Sequence, residues 1–158
     1  MLQAKKVDYL IAGGMAVNLH GVPRFTKDLD ILVDTSDRNL KRLGTALKAL
    51  GYRPRIPVLL EEFLNPQNWK KWKREKGMLA FTLFHPKNHY EIIDILTASP
   101  IPFSKAKQNR KRVSVGGLRL NLVSLKDLIL MKREAGREQD LSDIEALQKV
   151  MKARENRL

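Results

Sequence analysis

A chain of 158 residues, 43% hydrophobic and 30% charged, is long enough to bury one hydrophobic core and too apolar to stay disordered. It has no cysteine, which excludes disulfides, thiolate metal sites and a cysteine nucleophile. Thirty Lys and Arg against seventeen Asp and Glu leave a net charge of +13, a field that favours polyanionic partners such as RNA, DNA or a strongly acidic protein.

The first apolar run, Tyr9 to Val17 after Lys5 and Lys6, mimics a signal peptide. Asp8 and Gly13-Gly14 interrupt it, no small-residue cleavage site follows, and it is too short to span a bilayer. A cytoplasmic location without membrane contact is therefore expected. Val7 to Ile11 reads as a short buried strand and Gly14 to His20 as a short helix with Ala16 and Leu19 on one side. Asp28 to Val33 alternates as a strand: Leu29, Ile31 and Val33 face one way, and Asp28, Asp30 and Leu32 the other. Ser36 can cap a helix carrying Leu40, Leu43, Leu47 and Leu50, which Gly51 ends.

Residues 53–57 read as a Pro-broken connection, and Leu59 to Lys76 as one or two short helices interrupted at Pro66. Within the second of these, Trp69 and Trp72 are read as packing residues, with their basic neighbours left available for RNA contact. Met78 to Phe84 and His89 to Leu96 form a hairpin around Pro86-Lys-Asn88. A basic connector with room for a helical turn runs from Pro100 to Lys111. Arg112 to Val115 and Leu118 to Asn121 pair across Gly116-Gly117, a plain two-residue turn. Ser124 opens the next helix with Asp127 as its capping-box partner, and a last helix from about Gln139 to Lys152 turns Leu141, Ile144, Leu147 and Met151 inward. The order predicts one α+β domain over residues 1–158, with a mixed sheet.

Two carboxylates at i and i+2 on a strand share a face, about 7 Å apart along the backbone. Asp28 and Asp30 therefore repel each other unless a cation or a basic side chain such as Arg24 or Lys27 relieves them. Magnesium prefers such hard oxygen ligands. Asp94 lies among four aliphatics in Ile92-Ile93-Asp94-Ile95-Leu96, where a carboxylate is costly to bury without a charged partner. If its strand neighbours that of Asp30, three carboxylates meet, enough for two metal ions: one for a triphosphate and one to activate an attacking hydroxyl. Gly13-Gly14, between a strand and a helix, lets backbone N–H groups approach phosphate, although a plain tight turn is the commoner use of a glycine pair. Lys132 continues the inward stripe of Leu125, Leu128 and Ile129, so it either reaches a buried or cleft anion, such as triphosphate, or snorkels to solvent. Arg137, close by, can add to the same anion. His20, His85 and His89 lack a zinc-like arrangement, since the last two flank a turn.

The run Ala12-Gly13-Gly14-Met-Ala-Val-Asn18-Leu-His20-Gly21, continued by Arg24-Phe-Thr26-Lys-Asp28-Leu-Asp30-Ile-Leu-Val33, resembles the nucleotidyltransferase superfamily that includes DNA polymerase beta. With the tail from Leu128 through Lys132, Arg137, Asp140 and Asp143 to Leu147, the closer resemblance is to the minimal and AbiEii-type members. It implies a nucleotidyltransferase fold, a mixed sheet flanked by helices with two C-terminal helices. It implies Asp28, Asp30 and Asp94 as catalytic metal ligands for Mg²⁺, and an NTP such as ATP as substrate. Gly13 and Gly14 would lie near the triphosphate; the matching run offers Arg24 and Thr26 as further phosphate contacts, and the tail offers Lys132 and Arg137. Some relatives are toxins that modify tRNA ends and are silenced by an antitoxin; others transfer AMP to proteins or antibiotics.

Three departures stand out. Many members have Gly-Ser where this chain has Gly13-Gly14. The helix that usually precedes the first strand is reduced to Met1 to about Lys6, so a truncated start is expected. The extra C-terminal helical region of the larger toxins is not in the sequence. The expected activity is transfer of an NMP to a hydroxyl on an RNA end or a protein; the alternative is an inactive nucleotide- or RNA-binding module.

Overall fold

Alternation along the strands produces a sheet with two different apolar faces. The computed structural model describes residues 2–156. Its strands are β1 (Tyr9–Ile11), β2 (Asp28–Val33), β3 (Arg53–Pro54), β4 (Ala80–His85), β5 (Asn88–Leu96), β6 (Lys111–Val115) and β7 (Leu118–Leu122). They join in one mixed sheet in the order β3-β4-β5-β2-β1-β7-β6. The helices are α1 (Gly13–Leu19), α2 (Asp37–Ala49), α3 (Leu60–Phe63), α4 (Pro66–Lys76), α5 (Phe103–Asn109), α6 (Leu125–Ala135) and α7 (Glu138–Glu155). This is the α+β class read from the sequence, with α6 and α7 as the two C-terminal helices. Among the described residues no helix is long and apolar enough to cross a membrane.

On one face Ile31, Val33, Phe81, Leu83, Ile93 and Ile95 pack against Leu40, Leu43 and Leu47 of α2. Trp69 and Trp72 are buried in the same core, stacked on Phe63 and Phe81 respectively, so the packing role read for them holds. The other face gathers Leu10, Leu32 and Leu122 under Ala16 and Val17 of α1, Leu128 and Ile129 of α6, and Ile144 and Leu147 of α7. Asp30 shares the face of Leu32 by strand period, so its carboxylate points toward α1, α6 and α7.

Local chemistry sets most boundaries. Leu59 to Lys76 forms two short helices divided just ahead of Pro66, as expected, and Pro66 starts α4 at its first turn, where a missing N–H costs nothing. Asn65 caps it through the Gln67 amide at 3.0 Å. Gly51, Gly77 and Gly136 take positive φ just beyond α2, α4 and α6. Ser124 accepts from the Asp127 amide at 3.1 Å, but Asp127 turns its carboxylate to Asn109 rather than completing the box.

Three readings need correction. Ser36 stands at the N-cap of α2, but its hydroxyl donates back to Asp34 at 2.6 Å and caps nothing. Within the expected connection, Arg53 and Pro54 pair with Phe84 and Leu83 at the sheet edge, where proline's missing donor is tolerated. Leu141 is 58% exposed, because the inward stripe of α7 runs instead through Asp140, Asp143, Ile144 and Leu147.

Candidate active site

β2 and β5 lie parallel, with Asp30 opposite Asp94 and Asp28 opposite Ile92. Residues in register on adjacent strands point to the same face, about 4.8 Å apart at the backbone. Asp30 and Asp94 are therefore side by side. Asp28 shares the face one pleat earlier, and among the described residues no three carboxylate or imidazole groups converge on one point. Burial, the Asp94 charge and the Asp28 charge push the Asp30 carboxyl up to about 6, against the opposing pull of the Gly14 amide and Arg137. Asp94 buries Oδ1 without a hydrogen-bond partner. Two adjacent carboxylates, one hard to ionise and one with an orphaned oxygen, are a donor set suited to a hard divalent cation.

The glycine pair closes over this strand. Gly13 has φ +54°, and a Cβ there would fall 1.9 Å from Asp30 Oδ2 and 2.6 Å from Asp30 Cβ. A Cβ on Gly14 would lie 2.6 Å from Thr26 Oγ1 and 3.2 Å from Arg24 Cζ. So the backbone turn packs closely against Asp30, Thr26 and Arg24. Asn18 secures the loop, accepting from the Arg24 amide at 2.6 Å and donating to its carbonyl at 2.9 Å. By contrast, Gly116 and Gly117 have positive φ with nothing within 4 Å, the plain turn expected.

Gly13→Ala should lower the urea midpoint by the equivalent of about 1–3 kcal/mol, because rotating Asp30 cannot remove a clash that includes its Cβ. Gly116→Ala, equally left-handed but in open space, should lose only about 1 kcal/mol.

Lys132 is 4% exposed and reaches buried anions, but they belong to the protein: Asp140 Oδ1 at 2.9 Å and Asp143 Oδ2 at 2.6 Å. Arg137 binds the same Asp140 through Nε at 2.7 Å, with its side chain 76% exposed. Burial raises the Asp140 carboxyl, but the bonds from Arg137 and Lys132 outweigh it and hold the group below the usual range. Arg24 ion-pairs with Asp143 through Nη1. The sequence reading assigned no role to Asp140 or Asp143; their signal was an Asp-x-x-Asp spacing that puts both on one helical face.

A cleft of about 560 Å³ opens between these groups. Its lining includes the polar or charged Asp30, Asp94, Lys132, Arg137 and Asp140 with Gly13, and the apolar Leu79, Leu96, Pro100, Leu128 and Met131. The histidines lie apart: His20 is buried with Nε2 on the Val123 carbonyl at 2.9 Å, His85 meets Tyr52 edge-on, and His89 is exposed.

A family model described as nucleotidyltransferase of unknown function (DUF6036) matches residues 1–153. The lincomycin-bound structure of the lincosamide antibiotic adenylyltransferase LnuA aligns with a TM-score of 0.61 at 17% identity, covering 94% of this chain and 90% of that one. An antigenic nucleotidyltransferase-like protein from Paracoccidioides brasiliensis gives 0.56 at 17% identity, covering 92% and 69%. ANT(2'')-Ia in complex with adenylyl-2''-tobramycin gives 0.50 at 15% identity, covering 94% and 93%. Identities this low establish the shared fold. No curated protein matches the sequence.

Proposed function

Since the chain belongs to this family of nucleotidyltransferases, we propose that it transfers an NMP from an NTP to an acceptor hydroxyl, with magnesium held by Asp28, Asp30 and Asp94. The observation that carries this reading is the side-by-side register of Asp30 and Asp94 beneath the Gly13-Gly14 turn, with Asp94 Oδ1 unpaired. When bound, Mg²⁺ would offset charge on the triphosphate and acidify the acceptor hydroxyl, with the adjacent Asp30 and Asp94 as its main ligands and Asp28 one pleat away.

The chain's own groups supply the rest. The Gly13-Gly14 turn and Thr26 receive phosphate oxygens, and Arg24 and Arg137 add positive charge. This holds the α-phosphorus in line with the acceptor oxygen, so that positioning and electrostatics provide most of the acceleration. The acceptor oxygen forms the new bond to the α-phosphorus, the bond to pyrophosphate breaks, and the carboxylate of Asp94, which lines the cleft, takes the proton.

The +13 charge supports an RNA end, such as that of tRNA, as the acceptor, and an acidic protein such as an antitoxin as a partner. The AbiEii-type, toxin-like placement belongs to this proposal and rests on the sequence resemblance alone. ATP is the first donor to try, because one structural neighbour is described as an adenylyltransferase and another is in complex with adenylyl-2''-tobramycin.

The test is incubation with α-³²P-labelled NTPs, Mg²⁺ and either total tRNA or lysate. A labelled acceptor that disappears with Asp30→Ala is expected. No label with any donor or acceptor sinks the proposal. RNA binding that is salt-sensitive yet indifferent to Mg²⁺ and to Asp28 would instead favour the inactive binding module.

A further inference from the structure

Five charged side chains form one continuous row along the cleft, which Lys132, Asp140 and Arg137 help to line. Arg24 pairs with Asp143, Asp143 with Lys132, Lys132 with Asp140, and Asp140 with Arg137. The signs alternate along it. Its three inner members are all but sealed from water, with side-chain exposures of 3% for Asp143, 5% for Lys132 and 1% for Asp140. Desolvating three charges is expensive, and well-packed apolar residues often do as well for stability. What distinguishes this row is where its ends emerge.

Both ends are arginines. Arg24 lies against Gly14, and Arg137 lines the cleft beside Gly13 and Asp30. Each is gripped by only part of its guanidinium. Arg24 commits Nη1 to Asp143 and Nε to the Phe25 carbonyl. Arg137 commits Nε and Nη2 to Asp140. Among the described residues Nη2 of Arg24 and Nη1 of Arg137 have no hydrogen-bond partner. A guanidinium is a planar fork with five donors, so anchoring one edge aims the other. Three cations against two carboxylates also leave the row with surplus positive charge.

We infer that Asp140 and Asp143, bridged by the buried Lys132, are positioning residues that hold Arg24, against Gly14, and Arg137, in the cleft that Gly13 lines, so that both grip the substrate's triphosphate. Lys132 itself is then a strut and not a phosphate ligand. The inference rests on the nucleotidyl-transfer reading and adds to it the means by which the phosphate clamp is aimed.

The test compares wild type, Asp143→Asn and Asp140→Asn for binding of the α,β-methylene analogues of ATP and GTP with Mg²⁺ by calorimetry, and of adenosine by NMR titration. Each variant should bind the triphosphate about 10- to 100-fold more weakly, as is usual when a residue that orients a ligating group is lost. Adenosine binding should stay within about twofold, because the nucleoside makes no use of the clamp. Arg24→Lys, which keeps the charge and both buried carboxylates but loses the fork, covers the case in which an Asn variant fails to fold; it should show the same selective loss of triphosphate affinity. Equal losses for triphosphate and adenosine, or wild-type triphosphate affinity in the folded variants, would overturn the inference while leaving the proposed function standing. A wild-type protein that binds neither triphosphate would bring down both.

Discussion

Asp30→Asn is expected to make the metal-free protein more stable and the enzyme inactive. Burial together with Asp94 and Asp28 raises the Asp30 carboxyl to about 6. The folded state therefore holds that proton where the unfolded chain, with an aspartate pKa of about 3.9, has released it. Stability falls as pH rises from about 4 through about 6 and is level above that, a loss of about 3 kcal/mol at most. Asparagine cannot ionise and can still accept from the Gly14 amide. The variant should gain about 1–3 kcal/mol at pH 8, a rise of about 2–10 °C in Tm, and this advantage should vanish below about pH 4. Mg²⁺ should raise the wild-type Tm and leave that of the variant unchanged. On the proposed function, transfer should fall about 10³-fold or more, since a charge assigned to holding the cation is gone. A thermal scan across pH, with and without Mg²⁺, decides it; an unchanged or lower Tm at pH 8 would mean that the two carboxylates are not in conflict.

Lys132→Met should be the most damaging single substitution. Methionine fills a similar volume but leaves Asp140 and Asp143 facing each other, 1% and 3% exposed. Removing one partner of a buried charge network costs about 3–5 kcal/mol, and Arg24 and Arg137, which stay bound to one carboxylate each, should keep the loss near the lower figure. The pH dependence identifies the cause. In the wild type, Asp140 is held below its usual range, so its stabilising contribution is complete above the ordinary aspartate pKa and fades as pH falls through the lowered value. In the variant the exposed conflict should be relieved by protonation, so the two stability curves should converge on acidification. Urea unfolding at pH 8 and pH 4 measures both. Adding Asp140→Asn and Asp143→Asn to Lys132→Met should recover most of the loss; failure to do so would assign the damage to packing.

Much of the site was legible because it follows from local pattern. The alternation of Asp28 to Val33 placed two acids on one face, and the glycine pair between strand and helix marked the turn that closes over them. Whether β5 would neighbour β2 was not legible, since a parallel pairing between distant segments leaves no trace in either segment's periodicity. The buried row was missed for a different reason. Reading the last helix by polarity turned Leu141 inward, but on α7 the carboxylates of Asp140 and Asp143 occupy the core-facing stripe because Lys132, Arg24 and Arg137 neutralise them there. The cap at Ser36 failed because a hydroxyl beside an aspartate has a competing acceptor. β3 was too short to show any alternation.

The bond between Arg24 and Asp143 spans 119 positions of sequence. During synthesis, therefore, the segment bearing the acidic strand leaves the ribosome long before its counterpart on α7 exists. A nascent chain can assemble β1, α1 and β2 and still present an arginine with nothing to steer it. Competence for catalysis would then wait until α7 has been made and docks, which keeps a chain still lacking that helix from acting on the nucleotides around it.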